Sequence, residues 1–378
     1  MILKNGLVMN EDFVLKHLDI KLENEKIVEI GENLDGNTVL DMSGKYILPG
    51  FIDTHIHGAY GVRISDKKIK PDMNKITSFE ATQGVTSIAI TTAASEFSHI
   101  LEQIKIAKES SKTCVGTKIA GIHLEGPFIS TKYKGAMNPE YILEYDIKKF
   151  EEMLEKARGL IKIITIAPEK EGSKEFIEYV VKRGITVSMG HTDATYDDAV
   201  TAINAGASQA THTFNAMRAL NHREPGVLGA VLINDNIICE MICDYVHLHP
   251  ATVKMIYKIK GADKINIISD SGHAAGMNVT EFEADGLIRY VKNGVVQLAD
   301  GTIAGSAKTM ADGVKNLITS GIPIEDVSKM ASFNPAKSLK IENTTGSIAK
   351  GKCADFAVLN GEYNIDYTFI DGKLIYQR

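Results

Sequence analysis

The sequence predicts an α/β protein, built as a (β/α)8 TIM-type barrel with a small β-sandwich domain formed by both chain termini. Eight short apolar runs recur along the chain, and a stretch with helical spacing follows each of them. Strands that alternate with helices form parallel sheets, and eight such units within about 230 residues match a single barrel. The two chain ends show instead short alternating strands separated by turns, which predicts one β domain assembled from both ends.

The predicted strands end in polar residues of metal-ligand type at their carboxyl ends. Barrel enzymes assemble their active sites at that face, so the sequence places the site there. The predicted division gives residues 1–48 and 343–378 to the β domain and residues 49–342 to the barrel, with a hairpin-like excursion at 279–299. The predicted strands lie within residues 45–58, 85–93, 117–128, 159–169, 185–194, 207–217, 237–247 and 264–273.

Composition excludes several classes of partner. The chain has 378 residues, with 42 Lys and Arg against 48 Asp and Glu and a formal net charge of -6, so we expect neither nucleic acid nor an anionic membrane as partner. No apolar run approaches the roughly 18 to 20 residues that span a bilayer, and the amino terminus lacks the apolar core of a secretion signal, which predicts a cytoplasmic protein. Four cysteines without a CxxC pair predict reduced thiols, with Cys239 and Cys243 packed in the core.

The strongest local signal is the pair His55 and His57, which closes the first run. Residues i and i+2 of a strand share a face, so both imidazoles can bind one ion. Taken alone, such a pair is also typical of core or surface histidines. Imidazole and carboxylate side chains at several strand ends, without a thiolate, favour one or two divalent ions, Zn(II) or Fe(II) above others. The further single ligand candidates follow later runs: Glu125, His191, His212 and Asp270.

Several motifs occur in one order from about residue 45 to 356 and carry a family resemblance. PGFIDTHIHG and the closing GSIAKGKCADF are shared across the amidohydrolase superfamily. HLEGPF, THTFNAM and HREPG are narrower, and with GHTDA, LADGTIAGS, FNPAK and the aspartate at Asp270 they resemble the N-acetylglucosamine-6-phosphate deacetylase family of that superfamily. The resemblance covers most of the chain.

That resemblance implies a metal centre and a base. It gives Glu125, His191 and His212 to the principal metal, while His55 and His57 complete a second site bridged by Glu125. Many other amidohydrolases bridge their metals with a carbamylated lysine at the fourth strand end, but the sequence there is Ala-Pro-Glu at 167–169. Asp270 then takes the proton from the metal-activated water and delivers it to the departing amine.

The resemblance also implies the substrate contacts and a homodimer. Arg223 and His247 correspond to phosphate contacts, and Asn215 and the Ala216 backbone N–H lie beside the sugar or its phosphate. The HREPG loop at 222–226 reaches into the site of a neighbouring subunit in this family, which predicts a homodimer.

One position departs from the family pattern. Where some relatives have a histidine that polarises the acetamide carbonyl, this chain has Met137, whose thioether cannot donate a hydrogen bond. Our hypothesis is that a second metal compensates for the absent donor.

The resulting expectation is metal-dependent hydrolysis of N-acetylglucosamine 6-phosphate to glucosamine 6-phosphate and acetate. Two other substrates stay open: the epimeric N-acetylgalactosamine 6-phosphate and an N-acyl amino acid. A non-catalytic barrel that serves as a binding or assembly protein is a third alternative. Such a protein is expected to have lost metal ligands, whereas all six ligand candidates are present here.

Overall fold

The computed structural model describes residues 1–36, 38–284 and 286–378. It confirms the predicted fold class, since eight parallel strands form a barrel and both chain ends contribute to a separate sheet. Within the described residues, no helix is long and apolar enough to cross a membrane.

The secondary structure runs as follows. The strands are β1 (Ile2–Met9), β2 (Leu15–Glu23), β3 (Lys26–Gly31), β4 (Val39–Asp41), β5 (Tyr46–Pro49), β6 (Phe51–Ile56), β7 (Gly58–Ala59), β8 (Val62–Arg63), β9 (Val85–Ala93), β10 (Lys118–Glu125), β11 (Ile161–Ile166), β12 (Thr186–Met189), β13 (Gln209–Ala210), β14 (Ile238–Ile242), β15 (Ile265–Ile268), β16 (Glu281–Ala284), β17 (Leu287–Lys292), β18 (Val295–Gln297), β19 (Ile303–Ser306), β20 (Phe356–Leu359), β21 (Ile365–Ile370) and β22 (Lys373–Gln377). The helices are α1 (Met73–Thr82), α2 (Phe97–Ser110), α3 (Ile147–Ala157), α4 (Ser173–Val181), α5 (Tyr196–Asn204), α6 (Gly226–Ile233), α7 (Pro250–Lys260), α8 (Met310–Thr319), α9 (Ile324–Ser328) and α10 (Asn334–Leu339). Short 3₁₀ helices lie at Pro139–Tyr141 and Ala262–Lys264, and a π-helix at Lys329–Phe333 joins α9 to α10.

The terminal domain is one sheet in the order β22-β21-β20-β5-β1-β2-β3, with β4 paired to β1. The two chain ends meet where β5 and β20 pair antiparallel, with Ile47 opposite Val358. Leu3, Ile20 and Phe356 belong to a hydrophobic core that is distinct from the core of the barrel. The division at residues 48 and 342 stays a prediction.

The barrel sheet has the order β15-β14-β13-β12-β11-β10-β9-β6, and its neighbouring strands are parallel. A bridge between Ile56 and Ser271 closes the barrel at the carboxyl ends of the strands. All eight predicted runs therefore form strands, and α1 to α8 follow them one by one. The sixth strand has two residues because the chain leaves the extended conformation at once: His212 and Phe214 have φ of 29° and 80°.

Capping residues determine where two of the barrel helices, α5 and α8, begin. Thr195 and Asp198 form a capping box at the start of α5, in which each side chain accepts a hydrogen bond from the other residue's backbone N–H. Thr309 and Asp312 do the same at α8. These pairs satisfy N–H groups that the first helical turn leaves without partners, which fixes where each helix begins.

The amino-terminal end of the barrel is closed by α10. Ala336 and Leu339 pack against Ile52, Ala89 and Ile163, which point from three barrel strands into this small core. An apolar plug at one end leaves the carboxyl ends of the strands as the open face of the barrel.

The excursion between β15 and α8 is larger than the predicted hairpin. Strands β16 to β19 form a four-stranded antiparallel sheet, and a bridge between Ser271 and Ser306 connects it to the barrel. Position 285, inside the predicted 279–299 segment, lies outside the described residues. The predicted core thiols are confirmed, because Cys239 and Cys243 are free and buried.

Candidate metal centre

The predicted ligands come together at the open face of the barrel. Three of them, which follow β12, β13 and β15, have a left-handed backbone: φ is 47° at His191, 29° at His212 and 46° at Asp270. Such conformations cost on the order of 1 to 3 kcal/mol each for residues other than glycine, and they cluster at functional sites. They turn these side chains away from the alternation that a continued strand would impose. The remaining ligands lie at the ends of β6 and β10: His55, His57 and Glu125.

Close packing at Gly190 brings His191 to its place. A Cβ atom at this glycine would lie 2.6 Å from the Cβ of Thr211 on the neighbouring strand. Because Cβ atoms do not approach each other this closely, a larger residue would push β12 away from β13. The glycine in the GHTDA motif is therefore a packing requirement for the two strand ends that carry His191 and His212.

Glu125 lies at the centre of the cluster. Its Oε1 atom is 3.2 Å from Nε2 of both His55 and His191. The same Oε1 is 3.1 Å from Nε2 of His212, and Oε2 is 3.1 Å from Nε2 of His57. One carboxylate thus contacts four imidazoles that come from three different strand ends, which is the arrangement expected of a bridging ligand.

The other ring nitrogen of each histidine has its own acceptor. Because Nδ1 donates its proton to that acceptor, Nε2 is left with its lone pair directed at the centre of the cluster. The acceptors of the Nδ1 protons are a carboxylate oxygen of Glu240 for His55 at 3.2 Å, and backbone oxygens of Thr91 for His57 at 3.1 Å, of Tyr133 for His191 at 2.7 Å and of Asn215 for His212 at 3.1 Å.

The donor set fits a divalent cation. Nε2 of His55 is buried and makes no hydrogen bond within the described residues, although Glu125 Oε1 lies 3.2 Å away and Asp270 Oδ1 3.6 Å away. A nitrogen placed against two carboxylates in this way is costly unless a cation accepts its lone pair. Imidazole and carboxylate donors without thiolate suit Zn(II) or Fe(II). The ligand atoms form two groups, each within 4.8 Å: Glu125, His191 and His212 in one, and His55, His57 and Asp270 in the other.

Electrostatics at the cluster favour a cation. Burial opposes ionisation of Glu125, but His55 and His191 outweigh burial and hold the pKa of Glu125 well below its usual range. Burial also opposes ionisation of Asp270, yet His55 and His57 lower its pKa to about 2. Both carboxylates are therefore ionised at neutral pH, and they raise the pKa of His55 well above its usual value although burial lowers it. This is the negative potential that a divalent ion neutralises.

A cavity of about 1110 Å³ opens over the cluster. Its volume lies slightly above the roughly 300 to 1000 Å³ typical of small-molecule sites. Residues of both candidate metal groups line it, and so do residues of the β16–β19 sheet. Charged side chains of both signs line it: Arg63, Lys67, Lys68, Lys132, Lys134 and Arg289, with Asp66 and Glu283. Lys68 pairs with Glu283 and Lys132 with Asp193.

Three of the four predicted substrate contacts line this cavity. They are Asn215, Ala216 and His247, and Met137 lines it too. Nδ1 of His247 lies 2.7 Å from an Asp244 carboxylate oxygen, while its buried Nε2 has no hydrogen-bond partner in the described part of the chain. That nitrogen is therefore available to a ligand.

Arg223 lies elsewhere. It is exposed and does not line the cavity of its own chain within the described residues. Its position was predicted from a motif, and the structure of a single chain does not bring it to the metal cluster.

Sequence reasoning missed two groups of site residues. Glu240, which accepts from His55, sits inside the apolar run IICEMIC, and a lone carboxylate in a buried strand was the available signal. The cationic residues of the cavity wall, such as Lys134, lie in loops without a recognisable spacing, so only the folded chain assembles them.

Comparison with known proteins agrees with this geometry. The N-acetylglucosamine-6-phosphate deacetylase of Lysinibacillus sphaericus is 33% identical over 379 residues, which cover 99% of this chain and 97% of that protein. The N-acetylgalactosamine-6-phosphate deacetylase of Escherichia coli O157:H7 is 32% identical over 340 residues, which cover 89% of each chain.

A solved structure and a family profile match as well. The structure is that of an aspartate-to-alanine variant of N-acetyl-D-glucosamine-6-phosphate deacetylase from Mycobacterium smegmatis, in complex with N-acetyl-D-glucosamine-6-phosphate. It superposes with a TM-score of 0.91 at 29% identity, covering 100% of this chain and 99% of that one. The Amidohydrolase family profile matches residues 46–375. The chain belongs to the amidohydrolase family, and it is similar over its whole length to an N-acetylglucosamine-6-phosphate deacetylase.

Proposed function

We propose that this protein hydrolyses the N-acetyl group of N-acetylglucosamine 6-phosphate, giving glucosamine 6-phosphate and acetate. The observation that carries the proposal is the convergence of four histidine Nε2 atoms on Glu125, with Asp270 beside them, at the base of a cavity of about 1110 Å³. The full-length similarity to deacetylases that act on phosphorylated amino sugars supports it.

Two groups of residues have separate roles in amide hydrolysis: the metal ligands and the base Asp270. Glu125 and the histidines would hold a divalent ion, which when bound would supply the Lewis acidity that activates a water molecule and polarises a carbonyl group. Asp270, ionised at neutral pH, accepts the proton of the attacking water as its oxygen bonds to the acetyl carbon. Asp270 then donates this proton to the amine nitrogen as the C–N bond breaks. The buried Glu125 stays ionised throughout and holds the cluster together.

The cavity wall orients the sugar phosphate. Asp244 is the partner of Nδ1 of His247, and Nε2 has no partner within the described residues, so Nε2 is the ring nitrogen that can contact a ligand. Asn215 and Ala216 line the cavity next to His212, and we expect Asn215 and the Ala216 backbone N–H to contact the sugar or its phosphate. Since a phosphorylated sugar is charged and does not cross membranes unaided, the reaction belongs in the cytoplasm.

We test the proposal by measuring acetate release from protein whose metal content per subunit is known. N-acetylglucosamine 6-phosphate, N-acetylgalactosamine 6-phosphate and unphosphorylated N-acetylglucosamine are compared. A preference for the first substrate supports the proposal. A preference for the second, which the Escherichia coli relative makes the leading alternative, changes the substrate while keeping the reaction. Activity on none of the three, with metal bound, contradicts the assignment.

The exposed position of Arg223 supports a homodimer in which each HREPG loop supplies the phosphate contact of its neighbour. We expect Arg223→Ala to lower kcat/KM for the phosphorylated sugar by about 10 to 100-fold, because a hydrogen bond to a charged group contributes roughly 1.5 to 3 kcal/mol. The loss should fall mainly on KM, and metal content should not change. Arg378→Ala, which removes an exposed arginine behind β22, is the control.

Mixed dimers decide whether Arg223 acts across the interface. Arg223→Ala subunits are combined with Asp270→Asn subunits, under conditions that allow subunit exchange. A hybrid dimer then contains one site with an intact Asp270 from one subunit and an intact Arg223 from the other. We expect activity to return on mixing. If mixing restores nothing although hybrids form, Arg223 does not serve the neighbouring site.

A further inference from the structure

Glu240 is a buried carboxylate in the interior of the barrel. It lies in the middle of β14, its side chain is completely shielded from solvent, and no motif of the sequence includes it. A buried carboxylate is expensive unless its oxygens are well supplied with donors. The hydrogen-bond contacts of Glu240 therefore indicate its role.

Both oxygens of Glu240 accept hydrogen bonds. Oε1 accepts from Nε2 of Gln209 at 2.7 Å and, at a longer 3.4 Å, from the hydroxyl of Thr54. Oε2 lies 3.2 Å from Nδ1 of His55 and accepts from the backbone N–H of His212 at 3.3 Å. One oxygen thus contacts a residue from each of the two candidate metal groups.

A carboxylate at this place fixes the tautomer of His55. Oε2 of Glu240 already acts as an acceptor for the backbone N–H of His212, and as the acceptor facing Nδ1 of His55 it places the proton on Nδ1 and leaves Nε2 its lone pair. That Nε2 is the buried nitrogen without a hydrogen-bond partner within the described residues. Carboxylate contacts of this kind also raise the basicity of a metal-binding imidazole.

The four histidines differ in the group that accepts the proton of Nδ1. Nδ1 of His57, His191 and His212 lies against backbone oxygens, which no substitution of a side chain removes. Among the four histidines, His55 is the one held by a side chain. A single residue, Glu240, therefore controls one ligand of the second metal group and none of the ring orientations of the first.

A third metal site at this place does not fit the contacts. His55, His123 and Glu240 present ligand atoms within 4.8 Å of one another. Both ring nitrogens of His123, however, are already occupied, Nδ1 by the backbone oxygen of Thr54 at 3.0 Å and Nε2 by the hydroxyl of Thr165 at 2.7 Å. His123 is thus a structural residue, and His55 has the one histidine ring that Glu240 contacts among the described residues.

We propose that Glu240 is a positioning residue that prepares His55 for the second metal ion and thereby sets how strongly that ion binds. The inference rests on the metal centre of the proposed function and does not depend on the identity of the substrate. In the Glu240→Gln variant, an amide facing His55 with its oxygen keeps the contact with Nδ1, and its NH₂ can donate to Oε1 of Gln209, but the charge that makes the imidazole a more basic metal ligand is lost. An amide facing His55 with its NH₂ forces the proton onto Nε2, which then cannot bind a metal.

The test is metal binding by the full-length protein. Metal-free protein is titrated with Zn(II) against a competing chelator, and the number and affinity of bound ions are compared for wild type, Glu240→Gln and Thr54→Val. We expect the weaker of two binding steps to lose about 10 to 100-fold in affinity in Glu240→Gln, while the stronger step is unchanged. Thr54→Val removes a hydroxyl from the same cluster but leaves the contact between Glu240 and His55, so it should bind two ions like the wild type.

A second comparison separates positioning from a general structural role. In a His55→Ala background the second step is already lost, so adding Glu240→Gln should change Zn(II) binding no further. Thermal unfolding of the metal-free variants reports any loss of stability independently. Two ions bound with wild-type affinities by Glu240→Gln overturn the inference but not the proposed function. A wild-type protein that binds one ion overturns the inference together with the two-ion centre.

Discussion

Asp270→Asn is expected to lower kcat by about 10² to 10⁴-fold, because in the proposed mechanism Asp270 moves a proton in both halves of the reaction. The asparagine has nearly the same shape and keeps one oxygen where Asp270 Oδ1 lies 3.4 Å from Nε2 of His57. KM should therefore change little, and the ion held by Glu125, His191 and His212 should remain. The measurements are steady-state acetate release and metal content per subunit.

The activity lost in Asp270→Asn should not depend on pH in the neutral range. His55 and His57 outweigh burial and depress the pKa of Asp270 to about 2, so the ionised base is present above that pKa and is lost only as the pH falls through it. The deficit of Asp270→Asn should consequently stay constant across the neutral range. Asp366→Asn removes a carboxylate that pairs with Lys45 at 2.6 Å in the terminal sheet, and it controls for loss of a partly buried charge. Wild-type kcat in the metal-loaded Asp270→Asn variant rules out Asp270 as the base.

The periodic apolar runs predicted the eight barrel strands, but they did not predict the helix that closes the amino-terminal end of the barrel. The eight strands follow from apolar runs that end at polar clusters, and each run is a local feature of the sequence. The helix α10, which closes the amino-terminal end, is different, since Ala336 and Leu339 meet Ile52 and Ile163 from distant parts of the chain. Such long-range packing has no local signature. The sixth strand is shorter than its run because the backbone turns at His212, a conformation that residue type does not announce.

At the site, residue types predicted the ligand candidates themselves, whereas the residue that holds one of them, Glu240, was found only in the structure. The HxH pair and the single residues at later strand ends predicted all six ligand candidates, and the fold brings them together. Glu240 was hidden in an apolar run, because its role depends on a contact with His55, 185 positions away. The proposed place of Arg223 depends on a second subunit, so neither the sequence nor a single chain determines it.

Glu125→Ala is the substitution with the broadest expected effect on the metal centre. Its two oxygens lie 3.1 to 3.2 Å from Nε2 of all four histidines, so the variant removes the shared ligand of both groups. We expect loss of both ions and a fall in kcat/KM of about 10³ to 10⁴-fold or more. The Lewis acid contributes several kcal/mol, and each 1.36 kcal/mol is about tenfold in rate. Metal analysis after gel filtration and acetate release are the measurements.

His57→Ala is the matched comparison, because it removes a ligand of the second group and leaves the first intact. It should retain one ion, and its activity tests the hypothesis for Met137, the cavity residue that stands where some relatives have a carbonyl-polarising histidine. If the second ion compensates for that absent donor, His57→Ala loses most of its activity while keeping one ion, and adding Met137→His restores part of it. A one-ion His57→Ala enzyme with full activity would instead show that the acetamide carbonyl is polarised without the second ion. Two ions retained in Glu125→Ala would contradict a bridging role for Glu125.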